Sequence, residues 1–191
     1  MPSREKNPLV TLKQTQAALF STNQILMQEV KEREALYFKL QESENRYRTL
    51  FESSNDALSL ISVTSGRYID CNQASLALHG CITKQDFIGK TPADFSPPYQ
   101  PNGKPSSQLA TEYIHQALED GSCVFEWIIQ RQDGSQIPCL VSLSAIPSPN
   151  EKIILAISRD ISHIKKVQQE LEKAKEAAFF TTKLKANFSP P

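Results

Sequence analysis

Cysteine and histidine give this chain its widest chemical repertoire, because thiolates and imidazoles act as nucleophiles, acids, bases and metal ligands. The sequence has 191 residues, with four cysteines and three histidines. No two cysteines form a C-x-x-C pair, and no histidine lies at a ligand spacing from them. A zinc site and a disulfide framework are therefore not expected, and the pattern favours reduced, partly buried thiols. These residues are Cys71, Cys81, Cys123, Cys139, His79, His115 and His163.

Signatures of other enzyme chemistry do not stand out either. We find no Gly-rich phosphate loop, no nucleophile next to a base and no paired acids, so an independent hydrolase or transferase is not predicted. Lys plus Arg and Asp plus Glu both number 21, which leaves no net field to attract nucleic acid or anionic lipid. No apolar run reaches the length of about 18 residues that a membrane span needs. With no signal peptide, a cytoplasmic location is expected.

The stretch 123–146 predicts a β-hairpin that organises the rest of the chain. Apolar residues alternate on both sides of Asp133-Gly134, a pair suited to a tight hairpin turn. A hairpin does not bury its apolar face alone, so helices are expected across it. The alternation leaves open which face Trp127 occupies.

The other elements predict an α+β fold, with a five-stranded antiparallel sheet, helices on one face, and long N- and C-terminal helices. Strands are expected from Leu58 through Val63, at 67–71 and at 152–158, and short helices follow Asn72 and Lys84. Asn72 is placed to cap the first short helix, and Ser106 or Ser107 a longer one. Asp160, followed by Ser162, is placed to cap the last helix. Five prolines make 91–105 a loop without regular structure.

The N-terminal segment follows a heptad register from Leu9 to Phe51 that predicts a parallel dimeric coiled coil. Nine of the thirteen a and d positions are apolar. Asn23 lies at an a position, where it would face its own copy; as an alternative, it is a tolerated polar residue in a single helix. The seam residues are Leu12, Leu19, Asn23, Leu26, Val30, Tyr37 and Leu40.

Four segments, in this order, resemble a PAS domain, the small sensor module of signalling proteins. ENRYRTLFESSNDALSLI resembles its lead-in to the first strand, YIDCNQASLALHGC its Asn-capped first helix, FEWIIQRQDGSQIPCLVSLSAI its last hairpin and SRDIS its Asp-hydrophobic-Thr/Ser exit. The resemblance implies a signalling helix at 8–51, a PAS domain at 52–160 and a signalling helix at 161–189. Asn72, Asp160 and Ser162 would then hold the junctions through which the signal leaves.

The C-terminal run ELEKAKEAAFFTTKLKANFS resembles the approach to the dimerisation helix of sensor histidine kinases. In those kinases an Ala-Asn-aromatic/Met-Ser run precedes the phosphorylated histidine, and here Pro190 stands in its place. The resemblance implies a piece of a bacterial two-component histidine kinase without the phosphoacceptor and ATP-binding domain. This chain is therefore not expected to be an enzyme by itself.

No cofactor is predicted. The flavin-binding members of the family use an Asn-Cys-Arg-Phe motif, and Cys81 in HGCITKQ lacks those neighbours. Haem needs an axial ligand, and the apolar pattern around His115 indicates that this side chain faces outward. His79 ends its short helix, where interaction with the helix C-terminus explains it, and polar-surface placement explains His163.

A pocket for a small apolar ligand between helices and sheet is the remaining candidate site. The same residue types build a closed core, so the sequence leaves both readings open. The candidates are Leu60, Ile69, Leu76, Phe95, Ile114, Leu118, Trp127, Leu143 and Leu155.

Together these features predict a non-catalytic sensory and dimerisation module. A ligand or a partner would shift the pairing of the flanking helices, and a downstream kinase or other output domain would receive the change. Two alternatives stay open, namely a structural dimerisation linker that senses nothing and a fragment of a kinase or cyclase enzyme.

Overall fold

The computed structural model of the protein describes residues 8–148 and 151–187. Its strands are β1 (Ala57–Ser62), β2 (Arg67–Cys71), β3 (Ser122–Gln130), β4 (Gln136–Ile146) and β5 (Ile153–Asp160). Its helices are α1 (Pro8–Ser53), α2 (Gln73–His79), α3 (Lys84–Phe87), α4 (Ser106–Asp120) and α5 (Ser162–Asn187), with a 3-10 helix at Pro92–Phe95. The strands form one antiparallel sheet in the order β2-β1-β5-β4-β3. The predicted five-stranded α+β fold is confirmed.

The β3–β4 hairpin has the predicted turn, and its inner face carries the centre of the core. Gly134 has φ 81°, the left-handed conformation that suits glycine at this turn. Trp127 pairs with Cys139 across the hairpin and is 6% exposed. Its Nε1 donates a hydrogen bond to Ser96 Oγ at 2.9 Å. The sequence left the face of Trp127 open, and the structure places it inside.

The helices between β2 and β3 pack on the same inner face. α2 contacts β1, while α4 contacts β3 and β4. The side chain of Asn72 accepts from the Ser75 N–H, so it has the capping role that the sequence predicted. Gly80 closes α2 with φ 72°. α2 therefore begins and ends at residues whose chemistry suits a helix N-cap and a helix C-cap.

Two details of the segment 91–106 correct the sequence prediction. Thr91 and Asp94 form a capping box around a 3-10 helix, which the predicted irregular loop did not include. Its missed signals were a proline in the first turn and an acid three residues after a threonine. Ser106 does not cap α4, since the N-cap position is Pro105 and makes no side-chain bond. Ser106 Oγ instead donates to the Pro97 carbonyl inside the core.

The structure divides into two units, with the boundary between Leu50 and Phe51. In the first unit, α1 exposes large apolar side chains, and the apolar seam residues from Leu12 to Leu40 are all among them. Phe51 differs from the register that the sequence predicted. It is 5% exposed and belongs to the buried residues of the second unit, so it is not available for a coiled-coil seam. No helix in the described part of the chain is long and apolar enough to span a bilayer.

The exit from the sheet into α5 is fixed by short polar contacts. Asp160 ends β5 and accepts a hydrogen bond from the Ser162 N–H at 2.7 Å. The Ile161 N–H donates to the Pro138 carbonyl at 2.9 Å. Lys165, in the first turn of α5, forms an ion pair with Glu126 of β3 at 2.6 Å. The predicted C-terminal helix extends to 189, and its last two residues lie outside the described residues.

Replacing Trp127 by alanine tests the assignment of the inner face. We expect Trp127→Ala to lower the free energy of unfolding by about 3–5 kcal/mol, as for other buried aromatic residues. Val124 lies on the same strand and is 62% exposed, so Val124→Ala should cost about 0.5 kcal/mol or less. Denaturant unfolding followed by circular dichroism measures both, because Trp127 is the single tryptophan. Similar losses in the two variants would contradict the assignment.

Candidate functional site

A cavity of about 40 Å³ lies between the inner face of the sheet and the helices. Every strand contributes to its wall, together with α2, α4 and the 3-10 helix. The wall is rich in aromatic rings, and Phe95 of the wall stacks on Phe87 with ring centroids 5.1 Å apart. A cavity of about 150 Å³ admits benzene. The space here is therefore suited to a molecule much smaller than an aromatic ring.

Four of the nine pocket residues predicted from the sequence line this cavity: Phe95, Ile114, Trp127 and Leu143. Leu76 is buried in the core and Leu118 packs against it, but neither belongs to the lining. The prediction is wrong for Leu60, Leu155 and Ile69. Their strand neighbours Ile61, Ala156 and Tyr68 point inward instead. The lining residues that the sequence analysis missed are Ile61, Tyr68, His79, Pro92, Ala110, Phe125, Ile129, Val141, Ala156 and Ser158.

His79 is a polar residue in the wall of the cavity and corrects another sequence interpretation. The sequence analysis explained it by a favourable interaction with the helix C-terminus, but the side chain is packed inside the domain and is 2% exposed. Its ring lies edge-on to Phe87 and Phe95, with centroids 4.9 and 5.0 Å away. Nδ1 lies 2.8 Å from the Ser75 carbonyl oxygen. Burial lowers the pKa of His79 to about 4, with the Ser75 hydrogen bond opposing and the charge of Arg131 reinforcing the shift.

The cavity wall contains no Lys, Arg, Asp or Glu side chain among the described residues. Its other ionisable group is the Tyr68 hydroxyl, whose pKa is raised by burial. Both Tyr68 and His79 are therefore uncharged near neutral pH. A charged ligand would lose its hydration there without gaining an opposite charge. The site is suited to uncharged molecules.

The Asn72 side chain connects the helix under the cavity to the end of α1. It is fully buried. Its Oδ1 accepts from the N–H groups of Leu58 at 3.0 Å and Ser75 at 2.9 Å. Its Nδ2 donates to the carbonyls of Phe51 at 3.0 Å and Asp56 at 2.9 Å. One carboxamide thus joins α1, β1 and α2.

Ser75 continues this connection towards the cavity. Its backbone N–H bonds Asn72 and its carbonyl accepts from His79, while its Oγ lies 2.7 Å from Ser59 Oγ on β1. At the far end of α2, Arg131 donates through Nε to the Leu78 carbonyl at 2.9 Å and through Nη2 to the Ala77 carbonyl at 3.2 Å. Both ends of the short helix are therefore held by hydrogen bonds from outside it.

Charged side chains add a second connection at the end of α1. Lys84 Nζ lies 2.9 Å from Glu52 Oε1 and 2.7 Å from Asp70 Oδ1. Glu52 also accepts from the Gln73 N–H at 3.1 Å. These side chains are about one-third exposed, so solvent screening leaves the ion pairs modest in strength. The fully buried Asn72 is the firmer of the two connections.

The four cysteines are free thiols, and Cys71, Cys123 and Cys139 are buried. Burial raises the pKa of Cys71 to about 11 and that of Cys139 to about 12. Thiols held in the protonated form are poor nucleophiles and poor metal ligands. Cys81 is half-buried and is not part of the cavity wall. Across the described residues, no three His, Cys, Asp or Glu side chains are grouped so that they could hold a metal ion.

The sequence profile of the PAS domain family matches residues 55–163, more than half of the chain. A curated relative, the methyl sulfide methyltransferase-associated sensor of Methanosarcina acetivorans, is 30% identical over 131 residues. This match covers 68% of the chain but spans only 12% of the length of that sensor.

Solved structures support the same assignment. The PAS domain of an HTR-like protein from Haloarcula marismortui is 25% identical, with a TM-score of 0.56 and coverage of 67% of this chain and 99% of that one. A PAS domain from a two-component sensor histidine kinase has a TM-score of 0.51 at 12% identity, covering 63% and 98%. The second match is a likeness of fold.

The buried imidazole predicts a loss of stability in acid. An ordinary histidine has a pKa of about 6.5, and the folded value is about 4, so the unfolded chain binds more protons between these values. His79 should therefore cost about 3 kcal/mol of stability as the pH falls from about 6.5 to about 4. His79→Phe removes this loss, whereas His115→Gln, at an exposed histidine, should keep it. Unfolding free energies measured across this pH range check the difference. If His79→Phe and the parent lose stability in parallel, the assignment of His79 as a buried, neutral imidazole is wrong.

Proposed function

Because the chain belongs to the PAS domain family, we propose that it is the sensory and dimerisation module of a two-component histidine kinase. The family assignment makes it a sensory, non-catalytic domain. The proposed mechanism is a change in packing: occupancy of the cavity, or contact with a partner, shifts α2, and the flanking helices pass the shift to an output domain. The observation that carries this proposal is the Asn72 carboxamide, which bonds both α2 and the last turn of α1.

The route from cavity to helix consists of buried polar contacts within the second unit. His79 lines the cavity, its Nδ1 bonds the Ser75 carbonyl, and the Ser75 N–H bonds Asn72. Asn72 then bonds the Phe51 carbonyl in the last turn of α1. A ligand that favours one position of α2 changes the geometry at Phe51 by its differential affinity for the two positions. This supports a signal route through the N-terminal helix.

Dimerisation through α1 is supported by its exposed apolar side chains. A single solvated helix has no partner for so many large apolar groups, and contiguous exposed apolar surface marks an interaction site. Leu26 is 50% exposed, and Leu19, Val30, Tyr37 and Leu40 are exposed as well. We propose that two copies pair along these residues, with Asn23 facing Asn23.

Kinase parentage rests on the C-terminal sequence. The run 170–189 resembles the approach to the dimerisation helix of histidine kinases, and α5 reaches Asn187 within that run. Phe188 and Ser189, the end of the matching motif, lie outside the described residues. We propose a kinase as the downstream partner and the cytoplasm as the location. The bacterial source that the sequence favoured stays a prediction.

We further propose that the domain holds neither haem nor flavin. His115 is exposed on α4, so it does not face the cavity as an axial ligand would. A cavity of about 40 Å³ is also far smaller than a porphyrin or an isoalloxazine ring requires.

A structural dimerisation linker that binds no ligand is the second candidate. The small volume of the cavity favours it, because a closed core would have a similarly tight interior. In that case the Asn72 contacts would only fasten α1 to the domain. Ligand binding separates the two candidates.

Asn72→Ser tests the link between α2 and α1. Serine still caps a helix, but its shorter side chain does not bridge to the Phe51 and Asp56 carbonyls. We expect hydrogen exchange to accelerate more at 51–58 than at 73–79, with a stability loss of about 1–3 kcal/mol for each buried group left unpaired. Asn55→Ser, the same change at an exposed neighbour, should leave both segments as in the parent. Faster exchange confined to 73–79 would show that Asn72 acts only as the cap of α2 and does not link it to α1.

Lysine substitutions on α1 test the dimer. Leu26→Lys places a charge in the proposed seam and should drive the protein to monomer. Ile25 is 58% exposed and lies at a c position of the same helix, so Ile25→Lys should leave the mass unchanged. Asn23→Leu should strengthen association and loosen the register. Analytical ultracentrifugation measures all three. A monomeric parent at micromolar concentrations, or an unchanged mass for Leu26→Lys, would contradict the proposed coiled-coil dimer.

A further inference from the structure

The protonation of His79 follows from its hydrogen bond. Nδ1 lies 2.8 Å from a backbone carbonyl oxygen, which accepts hydrogen bonds and has no proton to donate. Nδ1 therefore carries the proton. In a neutral imidazole the other nitrogen, Nε2, is then an acceptor with a free lone pair. The ring thus presents an acceptor on the side away from α2's own carbonyl.

Nε2 reaches the cavity. Within the described residues, every side-chain nitrogen or oxygen that is shut off from solvent has a hydrogen-bond partner. Nε2 has no such partner among these residues, since both contacts of the ring, with Ser75 O and Ser75 Oγ, are made by Nδ1. Nε2 is therefore not fully enclosed by protein atoms, and His79 is part of the cavity wall. An acceptor that faces a mostly apolar cavity gains free energy when a molecule in the cavity donates a hydrogen bond to it.

The rest of the wall defines what this donor must look like. Apolar side chains such as Ile114, Trp127 and Leu143 form most of the lining. The indole N–H of Trp127 is already bonded to Ser96. Charged side chains are missing from the described lining. The ligand is therefore uncharged, apolar over most of its surface and equipped with one donor.

We propose that the cavity binds a small uncharged molecule of about two to four non-hydrogen atoms, such as a short alcohol, that donates a hydrogen bond to Nε2 of His79. The inference rests on the proposed sensory function and names the ligand class and the residue that selects it. The molecule's hydroxyl supplies the missing donor, and its hydrocarbon part contacts the apolar wall. Longer chains and rings exceed the volume of about 40 Å³.

Tyr68 is the competing anchor. It lines the same cavity, and burial keeps its hydroxyl in the neutral form. A phenol both donates and accepts, so a Tyr68 anchor would hold a carbonyl compound at least as well as an alcohol. His79 Nε2 only accepts and therefore discriminates between the two.

The test compares 2-propanol with acetone, which have the same heavy-atom skeleton and differ in the donor. Each is titrated into the ¹⁵N-labelled full chain, and the imidazole nitrogen resonances of His79 are followed by NMR. We expect saturable binding of 2-propanol in the millimolar range, about three- to tenfold tighter than that of acetone, with a shift of the Nε2 signal. Equal affinities, or no saturable change at His79, would overturn the proposal.

Two variants identify the anchor. His79→Phe retains an aromatic ring beside Phe87 and Phe95 but removes the acceptor, so it should bind the two compounds equally. Tyr68→Phe should keep the preference for 2-propanol. Loss of the preference in Tyr68→Phe, with the preference retained in His79→Phe, would transfer the role to Tyr68 and overturn the proposal. The titration of the parent tests the preference for 2-propanol even if neither variant folds.

Hydrogen exchange at 51–58 separates this inference from the proposed function. If 2-propanol binds with the expected preference but exchange at 51–58 stays constant, the ligand class stands and the signal route fails. If acetone and 2-propanol bind equally and both alter exchange at 51–58, the signal route stands and the ligand class is wrong.

Discussion

A single buried carboxamide, that of Asn72, determines how the elements around the cavity are held. Its oxygen accepts hydrogen bonds from two backbone N–H groups, and its nitrogen donates to the carbonyls of Phe51 and Asp56. No apolar residue of similar size replaces it, because each of these backbone groups would then be buried without a partner. The end of α1, the start of β1 and the start of α2 are therefore fixed with respect to one another by one side chain.

The position of α2 in turn determines the cavity. His79 is the last residue of α2 and contributes a polar group to the wall, while Arg131 of the β3–β4 hairpin donates to the Ala77 and Leu78 carbonyls. A helix of seven residues is too short to be stable alone. Its stability depends on these contacts at both ends and on packing against Phe87 and Phe95, so the geometry of His79 depends on the whole domain.

Local signals made much of this fold predictable from the sequence. The Asn72 cap, the Gly80 stop and the Asp133-Gly134 turn depend on neighbouring residues, and these predictions agree with the structure. The faces of β1 and β5 were not predictable in this way. In β5, apolar residues occupy both faces from Ile153 to Ile157. In β1 the inward-facing Ser59 is polar, and its hydroxyl forms a hydrogen bond with that of Ser75. When neither face of a strand is consistently polar, the sequence does not show which residues point inward. Leu60 and Leu155 were therefore assigned to the wrong side of the sheet. His79 was missed because Phe87 and Phe95, which bury it, come from other elements.

The fastening of α2 at both ends also bears on how the domain would respond to a ligand. A helix held at one end absorbs a displacement by fraying at the other. In the proposed mechanism, a shift at His79 would be opposed by Arg131 on one side and passed through Ser75 to Asn72 on the other, since the hydrogen bonds of Ser75 are buried. The weakest of the attached elements is the last turn of α1, whose charged contacts through Glu52 are partly exposed. A change in the cavity is therefore expected to appear at Phe51 before it loosens the sheet.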